Sequence, residues 1–232
     1  MMLPTLVVYI QFVYGLYAVS NAEVQALIDI YDSTNGDHWR DNTNWIMNDD
    51  TCSWYGIQCT EDHIFSIDLS NNGLNGTIPD SIGNLSELQV LHLYGKKNNI
   101  YGSLPDSIGL LTKLLIIDIS AQNFEGPIPE SIGKCTLLNE IDLDNNHFTS
   151  IPDSISNLGP LYKLEINDNQ MLNVSLPVNG PTFDCDCSDP NPCALNGNVF
   201  KYKCRAQCTF LQFHHGVVFA VLFTQATRNM AS

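Results

Sequence analysis

The side chains best placed to bind a partner in this chain are carboxylates that recur at a fixed spacing. One polar residue stands between two apolar residues in each of five short segments, at Asp68, His92, Asp118, Asp142 and Glu165. Nearby positions add further candidate ligand-binding residues, at Tyr94, Glu140, Asp144 and Asp168, with Lys163 as the one basic residue among them. Such a row is either a solvated face that favours solubility or a docking surface for a basic ligand.

Motifs for covalent or metal chemistry are much weaker. Ser131-Ile-Gly-Lys134 has the S-x-x-K form of a serine acyl-transferase, but the equivalent segment elsewhere reads Ser81-Ile-Gly-Asn84, so a structural repeat explains it. His214-His215 lacks the i, i+4 spacing of a helical metal site. We therefore predict no catalytic residue, no metal ion and no cofactor.

The charge balance limits the kind of partner. The 232 residues include 25 acidic and 10 basic side chains, which gives a formal net charge of −15. Nucleic acid is excluded as a partner because phosphate binding needs a basic surface. The hydrophobic fraction of 44% is large enough for a sizeable core. A protein or peptide ligand remains the partner that this composition favours.

An internal repeat must position the carboxylates. Five Ile-Pro or Leu-Pro pairs place their prolines 26, 24, 23 and 25 residues apart, at Pro79, Pro105, Pro129, Pro152 and Pro177. An apolar segment with strand spacing precedes each pair, as in Leu88, Leu91 and Leu93. One such coil cannot bury its apolar face alone, so the repeats predict an α/β-type repeat solenoid with a parallel concave sheet of about five coils.

An amide follows each predicted strand. These residues are Asn72, Asn98, Gln122, Asn146 and Asn169, with Asn98 displaced by a two-residue insertion. The chain must turn sharply there and leave backbone groups without strand partners. A side chain that both donates and accepts can satisfy those groups, so we predict that the amides bind them.

The pattern L-x-x-L-x-L-x-x-N-x-L-x-G-x-I-P, over about residues 64 to 177, resembles the plant-type extracellular leucine-rich repeats. Upstream, Trp39, Trp45 and Cys52-Ser-Trp-Tyr-Gly-Ile-Gln-Cys59 are similar to the N-terminal cap of plant receptor-like kinases and polygalacturonase-inhibiting proteins. The resemblance implies a disulfide between Cys52 and Cys59 and tryptophans that pack over the first coil. It also implies a role in signalling or defence.

Five regions follow from these features: a signal peptide at 1–22, an N-terminal cap at 23–63, repeats at 64–177, a cysteine-rich cap at 178–209 and an apolar tail of unknown role at 210–232. The signal peptide predicts an extracellular location, secreted or at the cell surface. The sequons at Asn75, Asn84 and Asn173 could accept glycans there. The apolar run in the tail is too short to span a bilayer, which leaves membrane association open.

The cysteines divide unequally between the two ends. Cys135 occupies a leucine position of the repeat, so we predict a buried free thiol. Five more lie in the tail, at Cys185, Cys187, Cys193, Cys204 and Cys208. Because five is odd, one of them is unpaired, pairs between chains or has lost its partner by truncation, and no pairing is predicted.

The leading hypothesis from the sequence is a secreted or cell-surface recognition module that binds a protein or peptide on its concave face. One alternative is a secreted enzyme inhibitor of the polygalacturonase-inhibiting type. A second alternative is a structural component of a matrix or cell wall, in which the odd tail cysteine would link chains.

Overall fold

The computed structural model describes residues 19–47, 50–159, 161–166 and 168–169, together with the backbone of Leu211–His214 and Val217–Ala220. Most of the predicted signal peptide, the sequon at Asn173 and the whole cysteine-rich segment 178–209 lie outside the described residues.

A helix, α1 (Asn21–Ser33), begins the described chain. Ser20 caps it, because the Ser20 side chain accepts from the backbone N–H of Glu23 while the Glu23 carboxylate accepts from the backbone N–H of Ser20, each at 3.3 Å. Leu27 and Ile30 face the core at helical spacing. The predicted boundary at residue 22 falls within the first turn of α1, so cleavage at that point would remove the cap.

Ten short strands follow α1 within the described residues up to 169. They are β1 (Ile57–Thr60), β2 (His63–Asp68), β3 (Asn75–Gly76), β4 (Val90–His92), β5 (Asn99–Gly102), β6 (Ile116–Asp118), β7 (Asn123–Pro127), β8 (Glu140–Asp142), β9 (His147–Ser150) and β10 (Lys163–Glu165). The concave sheet has the order β1-β2-β4-β6-β8-β10, and a second sheet has the order β3-β5-β7-β9. Within these two sheets, every pair except β1 with β2 is parallel, as a solenoid requires. The predicted repeat solenoid is confirmed.

Each coil turns back through a short 3-10 helix on the side opposite the concave sheet. The four repeat segments are Asp80–Asn84, Asp106–Leu110, Glu130–Lys134 and Asp153–Asn157. Adjacent turns approach so closely that a methyl group added at Gly109 would collide with the backbone carbonyl of Ser131 in the next coil. Gly133 meets the carbonyl of Ser154 in the same way, so packing requires glycine at both positions, whereas Ser156 stands there in the fourth turn.

The N-terminal cap closes the first coil. Strand β1 pairs antiparallel with β2, and a disulfide joins Cys52 to Cys59, as the resemblance implied. Trp39, Trp45 and Trp54 are 6%, 2% and 3% exposed, and their rings contact one another. Their predicted role in packing is confirmed, since rings this buried offer no platform for a ligand.

The turn amides form hydrogen bonds with backbone groups, as predicted, and most of these groups belong to the neighbouring coil. Asn98 is 5% exposed, and its Oδ1 accepts from the backbone N–H groups of Asn72 and Gly73 at 2.9 and 2.8 Å. Its Nδ2 donates to the carbonyl oxygens of Leu69 and Leu93 at 3.0 and 2.8 Å. We call the set Asn72, Asn98, Gln122, Asn146 and Asn169 the inner amide ladder; the first four are buried and Asn169 is half-buried. It links successive coils by hydrogen bonds along the solenoid axis.

Further along the chain, β11 (Leu211–His214) pairs antiparallel with β12 (Val217–Ala220). The helices among the described residues are too short or too polar to cross a bilayer. Cys135 is fully buried in the core and free, as predicted, and burial raises its pKa to about 11.

Candidate functional site

The concave sheet brings the predicted polar residues into one line. Strand register pairs Asp68 with His92, His92 with Asp118, Asp118 with Asp142, and Asp142 with Glu165. We call these five residues the concave row. Adjacent strands lie about 4.8 Å apart, so the row extends roughly 19 Å along the solenoid axis.

Two carboxylates of the row are held in the same way by the serine two residues further on. Asp68 Oδ1 accepts from the Ser70 backbone N–H at 3.1 Å and from its hydroxyl at 2.6 Å. Asp118 Oδ1 accepts from the Ser120 N–H at 3.0 Å and from its hydroxyl at 2.7 Å. Each carboxylate is thus fixed in orientation through one oxygen, and the other oxygen remains to accept from a ligand.

Lys163 neutralises the other end of the row. Its Nζ lies 2.9 Å from Asp142 Oδ2, 2.9 Å from Glu165 Oε2 and 3.7 Å from Glu140 Oε1. Asp142 is only 7% exposed, whereas the sequence predicted that it points outward. The difference arises because Lys163, on the neighbouring strand, lies against this carboxylate.

Burial and these ion pairs change the proton affinities in the row. Burial raises the pKa of Asp118, partly offset by its hydrogen bonds to Ser120. Burial also raises the pKa of Glu165. Burial disfavours the charged form of Lys163, but its hydrogen bonds to Glu165 and Asp142 outweigh that effect and raise its pKa well above the ordinary value. Lys163 therefore stays charged at neutral pH.

The row is bordered by apolar and aromatic side chains. Val90 and Ile116 are half-buried and lie opposite each other on β4 and β6. On the other side, the ring of Tyr94 meets the ring of His92 edge-on, with centroids 5.8 Å apart. This part of the concave face combines two fixed carboxylates with apolar contact surface, so it can contact both a charged group and an apolar group of a ligand.

The remaining predicted site residues lie beside the row. Asp144 is half-buried, and its backbone N–H donates to Asp142 at 3.2 Å. Asp168 is exposed and lies beyond β10 in the left-handed backbone region, with a φ of 50°. Carboxylate oxygens of Asp142, Asp144 and Glu165 lie within 4.8 Å of one another, but the Lys163 ammonium already balances charge at this end.

A second set of exposed polar groups was not predicted from the sequence. On the outer face of the second sheet, Asn99 Nδ2 donates to Asn75 Oδ1 at 2.7 Å, and Asn123 Nδ2 donates to Asn99 Oδ1 at 2.8 Å. His147 Nε2 continues the line, 3.2 Å from Asn123 Oδ1. We call these four residues the outer amide ladder. Asn99, Asn123 and His147 each directly follow an inner-ladder amide, and that periodicity is the sequence signal that could have identified them.

Two of the three predicted glycosylation sites fall within the described residues. Asn75 and Asn84 are both exposed, so an enzyme could reach either of them. Asn75 is also the first member of the outer amide ladder, and a glycan there would cover one end of it.

Comparison with known protein families agrees with this architecture. The family described as Leucine rich repeat N-terminal domain matches residues 20–60, and the family described as Leucine Rich Repeat matches residues 63–85 and 137–158. A probable leucine-rich-repeat receptor-like serine/threonine-protein kinase of Arabidopsis thaliana is 34% identical over 91 residues, which is 36% of this chain and 14% of the kinase. The chain therefore matches only a small part of that relative.

Solved structures extend the similarity over more of the chain. The BIR2 ectodomain of Arabidopsis thaliana has a TM-score of 0.60 at 25% identity and covers 81% of this chain and 96% of its own. A BIR3–SERK2 complex from the same plant has a TM-score of 0.57 at 29% identity, and the match covers 67% of this chain and 86% of the other. A plant ice-binding protein has a TM-score of 0.59 at 28% identity, and the match covers 68% of this chain and 50% of the ice-binding chain.

These matches, the coil geometry and the cap define a leucine-rich-repeat protein of the plant type. The chain is a member of this group with a leucine-rich-repeat N-terminal domain, and it is related to plant receptor-like kinases and receptor-like proteins. Its described residues resemble a receptor ectodomain.

Proposed function

We propose that this chain is an extracellular recognition module that binds a protein or peptide on its concave face, in signalling or defence. The observation that carries the proposal is the N-terminal half of the concave row. There, Asp68 and Asp118 are held in a fixed orientation on a rigid sheet beside the apolar surface of Val90 and Ile116. Fixed polar groups beside apolar contact area favour binding because little conformational entropy is lost.

The relatives support this proposal at the level of the class. One similar structure is a complex of BIR3 with SERK2, so a protein of this architecture assembles with another protein. The Cys52–Cys59 disulfide and the exposed sequons at Asn75 and Asn84 suit an exported chain.

A pair of photo-crosslinking variants tests the concave face. A photoreactive phenylalanine analogue replaces either Tyr94, on the concave face, or Tyr101, which is 48% exposed on the outer face of the second sheet. We expect a saturable crosslink to an extracellular protein or peptide at position 94, abolished by an excess of the unlabelled chain. The same products at both positions, or products that unlabelled chain does not displace, would contradict the proposal.

The outer amide ladder favours a second candidate function, the binding of ice. Its amides keep donors and acceptors free in a repeating line, and such an array can order a layer of water. The similarity to a plant ice-binding protein is consistent with this function.

Ice recrystallisation assays separate the two candidates. We expect wild-type chain to slow the growth of ice crystals, and Asn99→Arg to lose that effect while Asp118→Asn on the concave face keeps it. Equal ice growth with and without the wild-type chain would eliminate this candidate. A chain that carries a glycan at Asn75 and still slows ice growth would also contradict a role for the ladder.

A further inference from the structure

The concave row consists of two electrostatically different halves. At the C-terminal end, the carboxylates of Glu140, Asp142 and Glu165 surround the Lys163 ammonium, which is already present to balance them. At the N-terminal end, Asp68 and Asp118 receive hydrogen bonds from neutral serines. A cationic ligand therefore gains most at the N-terminal half, since it does not have to displace Lys163.

The two N-terminal carboxylates have a defined separation. Asp68 lies on β2 and Asp118 on β6, with His92 on β4 between them in register. Two strand spacings of about 4.8 Å place the carboxylates roughly 9.6 Å apart along the solenoid axis. Both are anchored at Oδ1, so this separation is fixed rather than adjustable.

That separation selects among peptide conformations. A polyproline II helix has three residues per turn and rises about 3.1 Å per residue, so side chains at i and i+3 share a face about 9.3 Å apart. In an extended strand, side chains on one face recur only at about 6.7 Å or twice that distance. The polyproline II repeat fits the two carboxylates, and the strand repeat does not.

The surroundings of the carboxylate pair suit the same conformation. The Tyr94 ring flanks the row on one side, and the half-buried Val90 and Ile116 flank it on the other. Proline-rich segments in this conformation dock against aromatic and apolar surfaces, and their preformed backbone loses little entropy on binding.

We propose that the N-terminal half of the concave row binds a proline-rich segment in the polyproline II conformation that carries two basic residues separated by two others. One basic side chain meets Asp68 and the other meets Asp118, with the intervening residues over His92 and Tyr94. This inference rests on the proposed function and specifies the chemistry of its ligand.

A set of synthetic peptides tests the spacing. Purified full chain is titrated with proline-rich peptides that carry two arginines at i and i+3, at i and i+2, or at i and i+4. Two control peptides have glutamine at both arginine positions or alanine in place of every proline. We expect the i, i+3 peptide to bind at least about threefold more tightly than each of the others, because only it forms both charge contacts at once.

Variants of the chain test the residues. Asp68→Asn and Asp118→Asn should each weaken the i, i+3 peptide by about three- to fivefold, and the double variant by about tenfold or more. Asp106→Asn removes the same charge from an exposed 3-10 turn outside the concave sheet and should leave binding unchanged. Circular dichroism of each variant ensures that the comparison is made on folded chains.

The possible failures are distinguishable. Equal binding of all arginine peptides, or equal effects of Asp106→Asn and Asp118→Asn, would mean general charge attraction and would overturn the inference. A persistent, displaceable crosslink at position 94 with no binding of any basic peptide would overturn the inference and leave the recognition function intact. Absence of both the displaceable crosslink and the peptide binding would overturn the proposed function itself.

Discussion

Replacement of Asn98 by alanine should be among the most damaging single substitutions in the repeats. This side chain makes five hydrogen bonds to backbone groups of two coils, which are the N–H groups of Asn72, Gly73 and Leu74 and the carbonyl oxygens of Leu69 and Leu93. Each buried backbone group left unpaired costs about 1–3 kcal/mol, and partial hydration and relaxation reduce the sum. We expect the free energy of unfolding to fall by about 3–5 kcal/mol, near the upper limit for one substitution.

Urea unfolding of the disulfide-intact chain measures this loss, and hydrogen exchange of the Gly73 and Leu74 amides locates it. Asn123→Ala is the matched control, because Asn123 is exposed in the outer amide ladder and should cost less than about 1 kcal/mol. Asn98→Asp should cost at least as much as Asn98→Ala, because its second carboxylate oxygen would face the carbonyl oxygens of Leu69 and Leu93. A loss below about 1 kcal/mol for Asn98→Ala, or one no larger than that of the control, would refute the argument that this amide joins the coils.

Three other predictions follow from the packing and charges. Gly109→Ala should lower the free energy of unfolding by about 1–3 kcal/mol in urea, because the new methyl group meets the Ser131 carbonyl. Cys135 should resist alkylation at pH 8 in the folded chain and react once urea unfolds it, since burial raises its pKa to about 11, and mass spectrometry of the Cys135 peptide would detect either outcome. Lys163→Met should cost about 1–2 kcal/mol at pH 7. In the folded state, burial raises the pKa of the Glu165 carboxyl group above its ordinary value of 4.5. Ionisation of Glu165 therefore opposes folding as the pH rises above 4.5. The deficit of Lys163→Met should therefore grow with pH and vanish at about pH 3, and urea unfolding at several pH values would contradict this if the deficit were constant.

The repeat spacing alone was sufficient to predict the solenoid and the location of its core. An apolar residue at a strand position can be buried only if the next coil covers it, so the period of about 24 residues specifies the stacking. The inner amide ladder was predictable for a similar reason. A sharp turn after each strand leaves backbone groups that need both a donor and an acceptor, and Asn98 supplies both.

The charge state of the candidate site was not predictable from the sequence. Lys163 is the one basic residue among the carboxylates of the concave face, and the spacing does not reveal which of them it meets. Strand pairing between β8 and β10 brings its ammonium to Asp142, which divides the concave row into a neutralised half and an available half. A contact of this kind depends on side-chain reach across coils, and no pattern within one repeat encodes it.

The outer amide ladder also depends on contacts between coils. Asn99 and Asn123 occupy equivalent positions in their repeats, and Asn75 stands two residues further along its own repeat. Strand register nevertheless places Asn75 directly opposite Asn99, whereas Asn123 lies opposite Tyr101 and reaches Asn99 diagonally. The sequence by itself therefore determined the fold, the turn amides and the line of polar residues on the concave sheet, because each follows from periodicity. Only the tertiary structure decided which of those residues are paired and which remain free, because pairing requires atoms from different coils to come within hydrogen-bond distance.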